Sequence, residues 1–172
     1  MFEALILASW RTRDTLFSAS VATLATDGSE LLGLEIGFDG PDFQIFQQNL
    51  AKVISDLVAS GDVDATATAG LATRARKARY LNAHLPRSVY YLHALSVQPR
   101  HRGRGVGARL LTAAIERARA RGRRELQLDV LSDNPAVKFY RAMGLRTVVE
   151  TVSPELTRDH GFPSELRMAL AL

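Results

Sequence analysis

From Val97 to Gly107 the chain reads Val-Gln-Pro-Arg-His-Arg-Gly-Arg-Gly-Val-Gly. The flanks of this stretch restrict the fold as much as its content does. Upstream, Val89–Val97 (VYYLHALSV) has the aromatic and branched composition of a strand. Downstream, Val106, Leu110, Leu111, Ala114, Ile115 and Ala118 recur on one helix face as far as Ala120, and Gly122 is the stop. A strand, a glycine-rich turn and a helix make an α/β unit. The start of a helix leaves its first four N–H groups without partners, and with the helix dipole they favour an anion. Gly103, Gly105 and Gly107 lack Cβ atoms, so a phosphate can approach the backbone closely. Arg102 and Arg104 add charge at the rim. The segment Arg102, Gly103, Arg104, Gly105, Val106, Gly107 and Ala108 therefore suits a pyrophosphate.

Two rival readings compete. Gly103-Arg104-Gly105-Val106-Gly107-Ala108 also fits a dinucleotide-binding turn, G-x-G-x-x-A. In that fold, however, the glycines follow the strand almost directly, whereas Gln98-Pro99-Arg100-His101 intervenes here. The acidic residue roughly 20 positions on that would hold a ribose would be Glu125 or Asp129, and neither sits clearly at a strand end. A turn that serves packing alone leaves the crowd of arginines without a purpose.

The rest of the chain gives the setting. With 172 residues, 47% of them hydrophobic and 23% charged, it can bury one core and is short for two domains. It contains no cysteine, which removes disulfides, thiolate metal sites and cysteine nucleophiles, and fits a reducing cytoplasm. No apolar run approaches the ~20 residues that span a bilayer, and Glu3 stands where a signal peptide carries positive charge. Net charge is +4. The excess sits in one segment, from Arg100 to Arg124, which suggests a phosphate-bearing small molecule before it suggests a duplex.

Periodicity predicts a helix over residues 2–17, a strand at Val21–Ala25, a hairpin turn at Asp27-Gly28 and a strand at Leu31–Phe38. A helix follows over 42–59, and an Ala- and Arg-rich helix runs to about Leu85, where Pro86 closes it. After the glycine turn and its helix, Leu126, Leu128 and Val130 alternate as in a strand. Asn134-Pro135 opens a helix that ends at Gly144. Leu145–Val152 is a strand, residues 153–164 read as a loop, and Glu165–Leu170 is a final strand. This order predicts a mixed sheet flanked by helices.

Val97–Gly107 resembles the acyl-CoA motif of the GNAT superfamily, [RQ]-x-x-G-x-[GA], filled here by Arg102, Gly105 and Gly107. Asn134-Pro135-Ala136-Val137-Lys138-Phe139-Tyr140-Arg141-Ala142-Met143-Gly144-Leu145 resembles the family's second motif, with the alanine displaced by one position and Leu145 in place of the usual Phe. The resemblance covers residues 91–145. It implies one GNAT-like domain over 1–172, with an acceptor side at 1–90, an acetyl-CoA-binding core at 91–152 and a closing strand at 153–172. Family members begin with a strand and a helix ahead of the hairpin. This chain begins inside the second helix of that pattern, so the usual first strand is expected to be missing.

The resemblance also implies roles. The pantetheine arm would pair with the backbone of Leu95, Ser96 and Val97, and the amide near Leu95 would face the thioester oxygen. Asn134 would bond the arm, as well as cap its helix, and Phe139 is expected in the core. Tyr140 would protonate the leaving thiolate, since a phenol at ~10 and a thiol at ~8.5 are roughly matched. An acceptor ammonium must lose a proton before attack, and His93 is the candidate base. Placed two residues before Leu95, it is expected on the same face. Tyr91, or a water chain from Glu35, is the alternative base. His101 reads as solvent-exposed or phosphate-side, while His84 and His160 carry no signal.

The leading expectation is acetyl transfer from acetyl-CoA to a primary amine, small molecule or peptide, in a ternary complex. Without cysteine, no acyl-cysteine intermediate can form. The alternative from another class is a non-catalytic acyl-CoA-binding or regulatory module. Nucleic-acid binding through Arg117–Arg124 lacks aromatic interleaving; Arg117, Arg119 and Arg121 read instead as a solvated helix end. The histidines and carboxylates have no metal-ligand spacing, so no metal is expected, and neither is a membrane partner. The exposed edges of such a sheet allow a homodimer.

Overall fold

The structure, a computed structural model, describes residues 1–77 and 85–172. Its elements in chain order are α1 (Phe2–Arg11), β1 (Ala22–Asp27), β2 (Glu30–Asp39), α2 (Asp42–Ala59), α3 (Ala65–Lys77), β3 (Val89–Val97), α4 (Val106–Ala120), β4 (Glu125–Leu131), α5 (Ala136–Ala142), β5 (Arg146–Thr151), α6 (Pro154–His160) and β6 (Glu165–Ala171). Short 3₁₀ turns lie at Ala19–Val21 and Pro99–His101. Among the described residues six strands form one mixed sheet in the order β1-β2-β3-β4-β6-β5. Of these six, β3 and β4 run parallel and the other neighbours antiparallel, and α4 crosses between β3 and β4. The expected mixed sheet flanked by helices is present.

Each face of the sheet carries its own apolar cluster. On one, the predicted stripe of α4 (Leu111, Ala114, Ile115 and Ala118) packs on Leu92, Leu126, Leu128 and Met168, with Val137 and Tyr140 from α5. On the other, Phe43 and Phe46 of α2 close over Ile36, Phe38 and Tyr91. At ~25 cal/mol per Å² of apolar area removed from water, these two layers supply the main driving force for folding.

Between the sheet and α4 lies a buried charge. Glu35 is fully buried and accepts from Arg117 Nη1, which also donates to the Tyr90 hydroxyl at 2.9 Å. Arg117 Nη2 donates to Thr23 Oγ1, and Glu35 Oε2 has no partner. Gly37 makes room for this arrangement, because a Cβ there would stand 2.6 Å from the Tyr90 ring. Arg123 grips Asp39 with two bonds of 3.0 Å, and Arg121 reaches the same carboxylate at 3.5 Å. Arg117 and Arg121, expected as a solvated helix end, are thus spent on the chain's own carboxylates.

Several expected boundaries are corrected. The first helix stops at Arg11 instead of residue 17. Asp14 takes φ +57, which no helix accommodates, and Thr15 turns inward to bond the buried Ser9. The hairpin loop is Gly28-Ser29, one residue later than read, because Asp27 still pairs with Glu30. Residues 154–160, read as loop, are helical: the Ser153 hydroxyl accepts from Leu156 N–H at 3.2 Å, Pro154 begins the helix and Gly161 ends it. The Ala-rich helix is present as far as Lys77. Its expected continuation lies outside the described residues up to 84, as does His84, and Leu85 is not helical.

Candidate active site

The site begins where two strands part. β3 and β4 pair only through Val89–Tyr91 and Glu125–Gln127. Beyond Tyr91 the β4-facing edge of β3 has no strand beside it, and a cavity of about 730 Å³ fills the gap. Leu92 to Val97 form one wall and Leu128 to Leu131 the other. Arg102, Gly103 and Gly107 lie at one end, and Asn134, Phe139, Tyr140 and Glu165 also border the space.

At the glycine end, Gly103 and Gly105 take φ +75 and +76, with nothing within 4 Å of where a side chain would begin. No side chain caps α4, so the amides of Val106, Gly107 and Ala108 lack intrahelical acceptors. Arg102 donates from Nε to Val97 O at 3.2 Å, leaving its terminal nitrogens free. Arg104 and Arg109 are exposed. An open nest of amides ringed by guanidiniums fits a pyrophosphate. The free edge of β3 fits an amide-bearing arm laid along it as a strand would be. His101, expected near solvent or phosphate, instead folds back onto Glu30, with Nε2 to Oε1 at 2.8 Å, and ties the turn before the glycines to β2.

Register corrects the placement of His93. Ile36 pairs with Ala94 and Gly37 with Leu92, so His93 is an extra residue bulged out of the ladder. A bulge breaks the two-residue alternation. Leu95 accordingly packs toward the α4 core and approaches Gly107, while the His93 ring lies against Phe17 (5.2 Å), Phe38 (5.8 Å) and Tyr91 (6.1 Å) on the opposite face. Burial pushes the His93 pKa down to about 4, against a smaller opposing pull from Asp129. The ring is therefore neutral at pH 7 but a weak proton acceptor.

Tyr140, on α5, borders the cavity from the α4 side, and burial raises its pKa above the ordinary phenol value. Its hydroxyl has no partner among the described residues. Asn134 Oδ1 accepts from Ala136 N–H at 2.9 Å, which steadies the start of α5, and its side chain also borders the cavity. Phe139 both packs against the core and lines the space. Glu35, the alternative source of a proton path, belongs to the Arg117 network and is not part of the lining. Tyr91 donates to Asp129 Oδ2 at 2.9 Å, and its pKa is raised well above the usual value, chiefly by burial.

Sequence reasoning missed the acidic wall. Asp129, Arg167 and Tyr91 form one bonded group, and Glu165 stands beside it. Burial and then the Asp129 charge raise the Glu165 carboxyl to about 7, with Arg167 opposing. The only trace in the sequence is that Asp129, Glu165 and Arg167 are charged residues on the alternate positions of two strands.

The profile of the acetyltransferase (GNAT) family matches residues 53–145, more than half of the chain. The chain belongs to that family. An uncharacterised N-acetyltransferase of Methanocaldococcus jannaschii is 44% identical over 59 residues; the stretch is 34% of this chain and spans 26% of that protein's length. The crystal structure of an N-acetyltransferase from Staphylococcus aureus Mu50 superposes with a TM-score of 0.66 at 13% identity, over 96% of this chain and 78% of the other. An acetyltransferase from Bacillus subtilis, solved in complex with CoA, gives 0.54 at 14% identity, over 88% and 76%. At these identities the likeness is one of fold.

Proposed function

We propose that the protein transfers the acetyl group of acetyl-CoA to a primary amine by direct attack in a ternary complex. The observation that carries this reading is the parted pair β3–β4, with the uncapped start of α4 at one end of the gap and acid–base groups around the other. When bound there, the cosubstrate supplies an activated acyl group as a thioester. The glycine turn from Arg102 to Ala108 holds the diphosphate, and the backbone of Leu95, Ser96 and Val97 aligns the arm. Asn134 borders the arm's path, and the Leu95 amide offers a donor where oxygen gains charge.

Tyr140 supplies the proton that the departing sulfur needs. A neutral phenol is the competent form, and burial keeps it neutral past its ordinary range. His93, held neutral, offers a nitrogen that can accept a hydrogen bond from the incoming amine. The residues before β3 supply the acceptor side, where Phe17 and Phe38 back the His93 ring.

Calorimetric titration with CoA, followed by thiol release from acetyl-CoA across polyamines, aminoglycosides, amino acids and lysine peptides, tests the proposal. Binding together with thiol release from one amine class is the expected result. Tight binding with no release from any amine would replace it with a non-catalytic acyl-CoA-binding module.

A further inference from the structure

We propose that Glu165 is the general base of the transfer, taking the proton of the acceptor ammonium on the sheet face opposite Tyr140. The inference rests on the acetyl-transfer reading above. Leu166 and Met168 of β6 are buried in the α4–α5 core. Alternation along a strand then sends Glu165 and Arg167 to the other face, where Arg167 meets Asp129 and Tyr91. Tyr140 belongs to the α4–α5 side. Both residues nevertheless border one cavity, because the sheet is parted between β3 and β4. An acyl carbon in that gap is open to an amine from the Glu165 face and to sulfur departure on the Tyr140 face.

The surrounding charges single out Glu165. Of the two carboxylates on the lining, Asp129 is bound by Arg167 through Nε at 2.9 Å and Nη2 at 2.7 Å, and by the Tyr91 hydroxyl. The Glu165 carboxyl makes no hydrogen bond or ion pair with any described residue. Tyr91 from β3, Asp129 from β4 and Arg167 from its own strand act on it electrostatically, and His93 and Tyr140 share the cavity lining with it; Glu150 of β5 is engaged by the Ser164 hydroxyl at 2.6 Å. A carboxyl at about 7 is poised to accept a proton at neutral pH, which a ring at about 4 is not.

The step balances. The ammonium N–H proton passes to the Glu165 carboxylate, freeing the nitrogen lone pair. The N–C bond forms, the C–S bond breaks, and sulfur leaves with the Tyr140 proton. The second proton lost by nitrogen restores the phenol. The products are the amide, the thiol and one proton, which Glu165 releases.

The test compares wild type, Glu165→Gln, Glu165→Asp and His93→Phe. With the amine turned over fastest, kcat/KM of wild type should fall on the acid side of about pH 7. Glu165→Gln should lower kcat/KM by about 100-fold and lose that acid limb, with the CoA dissociation constant unchanged. Glu165→Asp should keep the limb, and so should His93→Phe. Urea unfolding of the free protein gives a readout independent of turnover. A folded pKa above the unfolded 4.5 means that wild type loses stability relative to Glu165→Gln as pH rises from about 4.5 through about 7.

An unchanged rate and limb in Glu165→Gln would overturn the assignment. If wild type releases no thiol with any of the amines, the transfer reading fails instead. The unfolding comparison then decides for Glu165: a pH-independent difference overturns its role, and the sloping difference upholds a poised carboxyl.

Discussion

Arg167 and Asp129 face each other across β6 and β4 and are joined twice, Nε to Oδ1 at 2.9 Å and Nη2 to Oδ2 at 2.7 Å. Both side chains are nearly buried, so Arg167 offsets on the cavity wall part of the Asp129 charge that raises the Glu165 carboxyl. Arg167→Met should cost about 3 kcal/mol of stability, the usual penalty for orphaning a buried partner. It should also move the acid limb of the rate profile to higher pH, since Arg167 is the group that lowers the Glu165 carboxyl. Urea unfolding and a pH–rate series check the two effects separately.

Tyr140→Phe removes the hydroxyl and leaves the ring that packs against Phe139, centroids 5.2 Å apart. The expected result is a drop of about 100-fold in kcat with CoA affinity unaltered. Turnover equal to wild type at saturating substrates would exclude the phenol from the reaction.

Gly105 occupies φ +76 with open space beyond it. Alanine there meets no clash but a conformational cost of about 1–2 kcal/mol. If the CoA-binding form of the turn is the one seen, Gly105→Ala should weaken CoA about tenfold. Calorimetry giving wild-type affinity would show that the left-handed backbone is dispensable for binding.

Removing Arg117 leaves Glu35 buried without a counter-charge. Arg117→Met should destabilise by about 3 kcal/mol, and adding Glu35→Leu should recover most of the loss, because desolvating two charges costs nearly what their attraction returns. A double-mutant cycle in urea measures the coupling.

His93 has a folded pKa of about 4 against an ordinary 6.5. The unfolded chain therefore binds the extra proton first, and stability falls as pH drops from about 6.5 toward 4. His93→Phe should flatten this part of the stability–pH curve, while the Glu165 contribution runs in the opposite direction.

Local period made some of the molecule readable. The apolar stripe of α4, the alternation of β4 and the glycine turn between β3 and α4 each depend on neighbours in sequence, and each lies where it was expected. α6 escaped although Ser153, Pro154 and Gly161 mark its ends, because a seven-residue helix burying only Leu156 shows no periodicity. The bulge at His93 depends on how β3 registers with β2, and nothing within VYYLHALSV announces it. Glu35 and Arg117 stand 82 positions apart. Glu165 gained its surroundings only because β6 inserts between β4 and β5, bringing Arg167 opposite Asp129.

Three residue pairs, at Val89, Tyr90 and Tyr91, fasten one half of the sheet to the other. A carrier arm stretched along the remainder of β3 would serve as a removable seventh strand. A ligand that binds only the folded form raises its stability in step with the ligand's abundance. An acyl-CoA bound along this seam would therefore stitch the two halves together and raise the folded stability of the chain as its concentration rises.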